Sequence, residues 1–223
     1  RAVILLYCLI FQNIMKAVIF DRDGIIIDSE STNIDSTVKA FKELGIKIKE
    51  EEKEWIIGRH PDDFKKSFLK KYKFSYEEFK KIQKKEYHEL IKTTPLFKKT
   101  ISLIKELHNR KIPLALTTSS SKRSTSQVLK LAKLDNIFEV IVTSEDYKNR
   151  KPSPEPYLVT AKKLNINPKE CLVIEDSQVG VESAKAAGMK CFALPNKHTK
   201  KQDLSKADKI INSAEEILEF IKN

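Results

Sequence analysis

The chain has 223 residues, of which 40% are hydrophobic and 33% are charged. This composition is typical of a soluble globular protein, and the length is sufficient for one domain of moderate size with a smaller insertion. The three cysteines, Cys8, Cys171 and Cys191, show no CxxC spacing. Their number and spacing argue against a disulfide framework or a zinc knuckle and favour a reducing, cytoplasmic compartment.

The charge of the chain is strongly positive. It contains 42 lysines and arginines against 31 aspartates and glutamates, which gives a net charge of +11. A basic chain invites a nucleic-acid interpretation, but the lysines are spread along nearly every predicted helix, and no zinc-ligand spacing or recognition motif accompanies them. We therefore interpret them as solvated helix faces and expect no nucleic-acid partner. The same field would still attract an anionic substrate.

The first predicted segment is the apolar stretch AVILLYCLIF, at residues 2–11. It is too short to cross a bilayer as a helix, and no small-x-small cleavage site follows it. Because Met15 directly precedes the first predicted strand, we expect residues 1–14 to be an upstream extension. A membrane address is the alternative, and detection of Met15 at the N-terminus of the native protein would distinguish the two. We expect no membrane partner.

From residue 16 on, short apolar runs alternate with amphipathic segments. The apolar runs are rich in β-branched side chains and bounded by polar or turn residues, as buried strands are: KAVIF, IPLAL, EVIVT, CLVIE, KCFAL and DKIIN. The amphipathic segments have helical periodicity: KKTISLIKELHNR, SKRSTSQVLKLAK, PEPYLVTAKKLN, QVGVESAKAAG and AEEILEFIK. This alternation predicts an α/β fold with a Rossmann-like, mostly parallel sheet covered on both faces. Ligands of such folds bind at the carboxyl ends of the strands.

One region interrupts the alternation. Residues 29–95 contain no convincing strand but show helix patterns, such as IDSTVKAFKELG, which Gly45 closes in the place of a C-terminal cap. A second pattern, SYEEFKKIQKKEYHELIK, opens with Ser75 and Glu78 spaced as a capping box. A helical block inserted directly after the first strand predicts a lid over that strand's end. We therefore predict a catalytic core of residues 15–28 and 96–223, and a helical cap of residues 29–95.

Four polar clusters follow strands of the alternating part. They are Asp21-Arg22-Asp23-Gly24, Thr118-Ser119-Ser120, Lys151 in NRKPSPEPY, and Glu175-Asp176-Ser177. Each cluster alone is explained by a turn, a helix N-cap or a solvated loop. Four clusters in the same position relative to their strands are difficult to attribute to chance, and they would converge on one edge of the sheet. The sequence does not tell whether Arg22 does anything beyond facing solvent.

The stretch AVIFDRDGIIIDSE, at residues 17–30, places two aspartates two positions apart at a strand end. Carboxylates in such a position repel each other and lose hydration, so they rarely persist for stability alone. Phosphoryl transfer through a covalent intermediate needs such a pair, because one carboxylate attacks phosphorus and a second acid protonates the departing oxygen. A hard divalent ion, most naturally Mg²⁺, would take oxygen ligands from Asp21 and Asp176. Thr118 and Lys151 supply a hydroxyl and an ammonium for the equatorial oxygens.

These motifs resemble those of the haloacid dehalogenase superfamily of phosphohydrolases, in the branch with a helical cap after the first strand. The resemblance covers residues 15–223, and its most specific parts are DRDGIIIDSE and VIEDSQVGVESAKAAGM. It implies that Asp21 is the nucleophile, which forms an aspartyl-phosphate. Asp23 would be the general acid and then the base that activates water.

The same resemblance implies the remaining contacts of the site. Asp23 would give its backbone carbonyl to Mg²⁺, Asp176 would be a ligand, and Glu175 would be either a further ligand or a partner behind the ligands. Thr118 would bind the transferring phosphoryl group, and we include Ser119 beside it among the substrate-binding residues. Lys151 would pair with the phosphoryl group and with the nucleophile.

Differences between this chain and two branches of the family reduce the number of candidate reactions. Dehalogenases lack the second aspartate of the first motif, so Asp23 argues against that branch. The β-phosphoglucomutases carry a histidine twelve residues after the nucleophile, where this chain has Asn33, and a cap arginine three residues after a glycine, where it has Pro61. We therefore expect a Mg²⁺-dependent phosphatase of a small phosphorylated metabolite, a sugar phosphate first and phosphoglycolate or a nucleotide next. A β-phosphoglucomutase-type sugar phosphomutase is the alternative.

Substrate choice is expected to depend on the cap loop that contains GRHPDD. We expect Arg59 to face the site when the lid closes, and a solvent-exposed arginine is the alternative. A different class stays open as well: a non-catalytic module that uses its phosphate pocket to hold nucleic acid or a phosphorylated partner. Salt-sensitive binding of nucleic acid that survives Asp21→Asn would identify it. We expect a monomer.

Overall fold

Six strands form one sheet in the structure, a computed structural model that describes residues 15–56 and 61–221. The strands are β1 (Ala17–Phe20), β2 (Leu114–Thr117), β3 (Val140–Val142), β4 (Cys171–Glu175), β5 (Lys190–Ala193) and β6 (Lys209–Ile210). Their spatial order is β3-β2-β1-β4-β5-β6, and each neighbouring pair in the sheet is parallel. The predicted α/β fold with a mostly parallel sheet is confirmed.

Helices connect these strands and form the segment between β1 and β2. In chain order they are α1 (Ser29–Glu43), α2 (Glu50–Ile56), α3 (Pro61–Lys71), α4 (Tyr76–Leu90), α5 (Lys98–Asn109), α6 (Lys122–Ala132), α7 (Glu155–Leu164), α8 (Gln178–Ala186) and α9 (Glu215–Ile221). Within the described ranges, no helix has both the length and the apolar character needed to cross a membrane.

The central strands of the sheet are buried on both faces. On one face, Ile19 and Val173 pack in a cluster with residues of α7 and α8. Val18 and Ile174 alternate with them, point to the opposite face and are also buried. Strands buried on both sides read as continuous apolar runs, and this explains why β1, β2 and β4 contain almost no polar residue.

The direction of winding reverses at β1. β2 and β3 lie on one side of β1, and β4, β5 and β6 lie on the other. The loops that leave the carboxyl ends of β1 and β4 therefore diverge, and such a switch point is where open α/β sheets bind ligands. Phe20 is in register with both Leu116 and Ile174, so Asp21 begins at the same level as the ends of β2 and β4. The Asp21 N–H donates to the Ile174 carbonyl at 3.0 Å.

The chain divides into two compact units. The sheet unit comprises the described residues up to Ile26 and from Phe97 on, and the helical unit is Ile27–Leu96. The described part of the helical unit contains α1 to α4 and no strand, only an antiparallel bridge between its two ends, Ile27 and Leu96. The sequence places the insertion at residues 29–95, and its role as a cap stays a prediction.

Local signals in the helical unit match its helix ends. After α1, Gly45 has φ +73° and its N–H donates to the Lys42 carbonyl at 3.0 Å. Before α4, the Ser75 Oγ accepts a hydrogen bond from the Glu78 N–H at 3.3 Å. Glycine tolerates the left-handed backbone without strain, and the serine satisfies an N–H that would otherwise lack an intrahelical partner. These are the two ends that the sequence pattern predicts.

Candidate active site

Asp21, the first residue after β1, is buried beside a lysine. Its Oδ1 accepts a hydrogen bond from the Lys151 Nζ at 2.7 Å, and both side chains are less than a tenth exposed. Burial raises the pKa of Asp21 to about 7, with the negative charges of Glu175 and Asp23 acting in the same direction and Lys151 opposing them. The site therefore concentrates negative charge around this carboxylate.

Lys151 joins two of these acidic groups. Its Nζ donates to Asp21 and, at 2.6 Å, to the Glu175 Oε1. It also donates to the Tyr157 hydroxyl at 3.1 Å and lies over the Tyr157 ring. Burial alone would lower the pKa of Lys151, but the attraction of the two carboxylates outweighs burial and raises it well above its ordinary value. The side chain is therefore a fixed ammonium at the end of β1.

Glu175, the last residue of β4, is held by hydrogen bonds at both oxygens. Its Oε1 accepts from Lys151 and from the Tyr157 hydroxyl, and its Oε2 accepts from the backbone N–H groups of Asp176 and Ser177 and from the Ser177 Oγ. Gly180 in α8 lies directly against this carboxylate, because a Cβ at that position would overlap it. The glycine lets the helix approach a buried glutamate closely.

Asp176 follows β4 and faces the turn after β1. Its Oδ2 accepts a hydrogen bond from the Asn196 Nδ2 at 2.7 Å, and the same amide donates to the Gly24 carbonyl at 3.2 Å. Burial, together with the charges of Glu175 and Asp21, raises the pKa of Asp176 well above its usual range. A Cβ on Gly24 would overlap the Asp176 carboxylate, so only a glycine permits this approach.

A candidate metal centre results from these positions. Oxygens of Asp21, Glu175 and Asp176 lie within 4.8 Å of one another, and all three residues are buried. The Lys151 ammonium balances one of the three negative charges. Carboxylate oxygens are the ligands that hard divalent cations prefer, so this set of donors fits an ion such as Mg²⁺. Glu175 already accepts five hydrogen bonds, which makes it the least available of the three as a ligand.

Asp23 lies on the other side of this turn and is the most exposed of the site's carboxylates, with 31% of its side chain accessible. It accepts hydrogen bonds from the Thr118 Oγ1 at 3.2 Å and from the Ser120 Oγ at 2.9 Å. Thr118 directly follows β2 and is buried, and its Oγ1 also accepts from the Ser120 N–H. The ends of β1 and β2 are thereby connected through Asp23.

Arg22, whose role the sequence leaves open, does not face solvent. Its side chain is fully buried and contacts Asp23, Ser120 and Ser124. The burial of Arg22 could not be predicted from the sequence, for a physical reason. An arginine between two aspartates shows no apolar neighbour that predicts burial, and its polar partners come from a loop and a helix about 100 positions further along the chain.

Two residues predicted to bind substrate, Ser119 and Arg59, differ in what the structure describes of them. Ser119 lies exposed in the loop after β2, next to Tyr147, whose hydroxyl donates to the Thr118 carbonyl. Arg59 lies outside the described residues. Two further polar residues of the site, Tyr157 and Asn196, received no role from the sequence. Tyr157 lies six residues after Lys151, and Asn196 lies three residues after the end of β5. This closeness along the chain is the feature of the sequence that could have indicated them as site residues.

Comparison with known proteins identifies the class. The fold and the buried acidic centre define a Rossmann-like enzyme with its site at the switch point of the sheet. The sequence profile of the haloacid dehalogenase-like hydrolases matches residues 18–194. The chain belongs to this family, and the predicted family and hydrolase class are confirmed.

Individual relatives extend this result. The "phosphorylated carbohydrates phosphatase" of Thermotoga maritima is 33% identical over 181 residues, which cover 78% of this chain and 82% of that protein. The crystal structure of a β-phosphoglucomutase from Clostridium difficile has a TM-score of 0.75 at 28% identity and covers 93% of this chain and 96% of its own. CbbY from Rhodobacter sphaeroides, crystallised with phosphate, has a TM-score of 0.77 at 24% identity over 89% of this chain and 94% of its own. This last likeness shows the fold alone.

Proposed function

We propose that this hydrolase is a Mg²⁺-dependent phosphatase that acts on a small phosphorylated metabolite through an aspartyl-phosphate on Asp21. The class of phosphoric monoester hydrolases is supported by the family and by relatives named as phosphatases. The observation that carries the proposal is the buried Asp21 in contact with Lys151, next to Asp176 and two residues before a partly exposed carboxylate. In this proposal Asp21 would be the nucleophile, Lys151 the compensating cation and Asp23 the proton donor.

In the first half of the reaction, an oxygen of Asp21 attacks the phosphorus of the substrate. A phosphorus–oxygen bond forms to Asp21 while the bond to the leaving oxygen breaks. Asp23 transfers a proton to that leaving oxygen, so that an alcohol departs instead of an alkoxide. The ammonium of Lys151 and the hydroxyl of Thr118 hold oxygens of the transferring group, where negative charge is spread in the transition state.

In the second half, water attacks the phosphorus of the aspartyl-phosphate. Asp23, now a carboxylate, accepts a proton from that water as the new phosphorus–oxygen bond forms. The bond between phosphorus and Asp21 breaks, inorganic phosphate leaves, and both aspartates return to their starting states. One residue acts first as an acid and then as a base, and this explains why its carboxyl needs partial access to solvent.

Residues for Mg²⁺ are available at this position. The carboxylates of Asp21 and Asp176 and the backbone carbonyl of Asp23 would hold it. Glu175 would be either a further ligand or, as its five accepted hydrogen bonds favour, the partner that orients Lys151. When bound, the ion supplies positive charge that reduces the repulsion between the Asp21 carboxylate and the phosphate.

The substrate that we propose first is a sugar phosphate, with phosphoglycolate or a nucleotide next. The relative from Thermotoga maritima, a phosphatase of phosphorylated carbohydrates, supports this order. Arg59 of the helical unit stays our candidate for a contact to the substrate. The free cysteines Cys171 and Cys191 are both buried, and they agree with the reducing, cytoplasmic compartment that we propose. We also propose that the protein acts as a monomer.

A sugar phosphomutase is the second candidate, because a β-phosphoglucomutase structure matches nearly the whole chain. The two activities differ in how long the aspartyl-phosphate survives before water reaches it. Asn33, at the position where the mutases carry a histidine, lies exposed in α1 and favours the phosphatase.

The test is phosphate release from a panel of sugar phosphates, phosphoglycolate and nucleotides, with and without Mg²⁺. We expect release to require Mg²⁺ and to fall by about 1,000-fold or more in Asp21→Asn, because this change removes the nucleophile. Asp135→Asn, which changes an exposed aspartate of the same unit, is the matched control and is expected to behave as the native protein.

Other outcomes would identify the alternatives. Isomerisation of a sugar phosphate in the presence of its bisphosphate, without net phosphate release, would establish the mutase. Silence in both assays, together with salt-sensitive binding of nucleic acid that survives Asp21→Asn, would favour the non-catalytic module.

A further inference from the structure

Arg22 is the largest of the fully buried side chains in the described part of the protein. Removing a guanidinium from water costs several kcal/mol unless hydrogen bonds and a counter-charge compensate, so a buried arginine is weak evidence for added stability. The mechanism described above uses both aspartates that flank Arg22 but assigns the arginine itself no part. Its contacts therefore indicate what it does.

Two of its nitrogens engage Asp23 as a fork. The Nη2 donates to the Asp23 Oδ1 at 2.6 Å, and the Nε donates to the Asp23 Oδ2 at 3.1 Å. Paired, charge-assisted hydrogen bonds of this kind determine the plane of a carboxylate as well as its distance. The geometry depends on the planar guanidinium, because a lysine ammonium is a point charge without a fork.

Further contacts anchor the arginine to the segment after β2. Its Nη1 donates to the Ser124 Oγ at 2.8 Å, in the first turn of α6, and its Nη2 donates to the Ser120 Oγ at 2.6 Å. The Ser120 Oγ in turn donates to the Asp23 Oδ2 at 2.9 Å. Asp23 is thus connected directly to the loop that precedes α6, and to α6 itself through the arginine.

We propose that Arg22 is a positioning residue, which holds the carboxyl group of Asp23 in the orientation needed for proton transfer to the leaving oxygen. The inference rests on the proposed function, in which Asp23 is the general acid. Proton transfer requires the two heavy atoms to come within hydrogen-bonding distance, about 2.6–3.2 Å. The Asp23 side chain is 31% exposed, and a side chain with such exposure rotates freely unless its neighbours restrain it. The fork from Arg22 and the hydrogen bond from Ser120 provide that restraint.

Two substrates with different leaving groups can distinguish a role in positioning Asp23 from general structural support. An alkoxide departs only with a proton, so hydrolysis of a sugar phosphate depends on where Asp23 lies. The p-nitrophenolate anion departs without a proton, so p-nitrophenyl phosphate reports on the nucleophile and the phosphate contacts alone. We compare kcat/KM, because it includes steps only up to departure of the leaving group. Hydrolysis of the aspartyl-phosphate, which both substrates share, does not enter it.

The experiment measures kcat/KM of Arg22→Met and Arg22→Lys with the best sugar phosphate of the panel and with p-nitrophenyl phosphate. General acid catalysis contributes about 10²–10⁴-fold, so misplacing the acid should lower kcat/KM for the sugar phosphate by about 10- to 100-fold. We expect a change of no more than about threefold for p-nitrophenyl phosphate, since that reaction needs no proton donor. Arg22→Lys should behave like Arg22→Met, because the charge alone does not restore the fork.

Ser120→Ala is the second variant, and it keeps the buried arginine in place should Arg22→Met fail to fold. It removes one hydrogen bond to Asp23 and should lower the sugar-phosphate value selectively, but by less. Ser126→Ala, an exposed serine on α6, is the matched control and should change neither value. In an Asp23→Asn background, Arg22→Met should have no further selective effect, because there is no acid left to position.

The outcomes separate the two proposals. If the native protein hydrolyses neither substrate, the proposed function fails. If it hydrolyses both, and if Arg22→Met, or Ser120→Ala in its place, lowers the two kcat/KM values equally or leaves both unchanged, only the positioning role is overturned. A selective loss that persists undiminished in the Asp23→Asn background would also overturn it.

Discussion

The two units of the chain bury different kinds of side chain. In the helical unit, the core is aromatic: Phe41 is fully buried, with its ring centroid 5.0 Å from that of Phe68 and 4.6 Å from that of Phe79. In the sheet unit, apolar strands end in buried charges, among them Asp21, Glu175 and Asp176. The Lys71–Glu52 ion pair of the helical unit lies nearer to water than these groups, and 48% of its lysine side chain is exposed.

The two kinds of buried side chain have opposite effects on the stability of the fold. Burying aromatic surface is favourable in itself, whereas burying a carboxylate is unfavourable unless its hydrogen bonds are satisfied. The sheet unit retains several buried carboxylates at one edge of its sheet. They lie close together, so the negative charge of each one opposes the ionisation of the others. We infer that the helical unit is organised for packing, and that the sheet unit gives up part of its stability to hold an acidic site.

The largest effect that we predict on the free energy of unfolding is for Phe41→Ala in the helical unit. It leaves a cavity among stacked rings and should lower this free energy by about 3–5 kcal/mol. Because the cavity lies in the core of the helical unit, amide hydrogen exchange should accelerate mainly in α1 and α4. Leu69→Ala, which changes an exposed side chain of the same unit, is the control and should have an effect within about 0.5 kcal/mol. Equal acceleration in β1 and β4 would contradict the separation of the two cores.

A smaller difference in the free energy of unfolding is expected between two glycine substitutions, Gly24→Ala and Gly45→Ala. Both glycines have positive φ, +79° and +73°, so alanine at either position should cost about 1–2 kcal/mol in backbone strain. Only at Gly24 does the new Cβ overlap a neighbour, the Asp176 carboxylate, while the space around Gly45 is open.

Urea unfolding of the two variants measures this difference. Gly24→Ala should be less stable than Gly45→Ala by a further amount of about 1–3 kcal/mol, the usual effect of overpacking. It should also lose phosphatase activity, whereas Gly45→Ala should keep it, because only the first substitution displaces a candidate ligand of Mg²⁺. Equal stability and equal activity of the two variants would show that the Gly24 turn has room to adjust.

The smallest effect concerns the pH dependence of the helical unit. Burial would raise the pKa of Glu52, but hydrogen bonds from the Lys49 N–H, Lys71 and Tyr72 outweigh burial and hold the pKa below its ordinary value. A lowered carboxyl pKa contributes stability that is present above the unfolded-state pKa and is lost as the pH falls through the folded-state value. Stability from this residue should therefore decline only at acidic pH.

Denaturation midpoints of the native protein and Glu52→Gln, measured from neutral to acidic pH, test this expectation. The native protein should have the higher midpoint at neutral pH, and the difference should shrink as the pH falls. Glu77→Gln, at an exposed position of the same unit, is the control. A difference that stays constant with pH would mean that the charge of Glu52 contributes nothing.

Much of the fold could be predicted from the sequence because its signals are local. Each strand is a short apolar run, and the ends of α1 and α4 depend on Gly45 and Ser75 within one turn of the helix. The edge of the sheet that carries the polar clusters also followed, since the carboxyl ends of parallel strands lie together. Those clusters contain Asp21, Lys151 and Asp176, which the structure brings into one site.

The contacts around that site could not be predicted in the same way. Asn196 reaches both Asp176 and the carbonyl of Gly24, and these partners are 20 and 172 positions away along the chain. Tyr157 follows Lys151 by six residues, yet its hydroxyl contacts Glu175 only because α7 packs against the sheet. A sequence pattern contains no information on such contacts, because each depends on the packing of elements that are distant in the chain.

The sequence by itself determined the order of strands and helices, the helical segment after the first strand and the residues to which we assign the chemistry, because periodicity and motif spacing act over a few residues. Only the tertiary structure decided the direction of Arg22. Its partners Ser120 and Ser124 come from the segment after a different strand, and that segment lies beside β1 only because β1 and β2 pair in parallel. An arginine whose role the sequence leaves open is therefore buried against Asp23, the residue that we propose it holds in place.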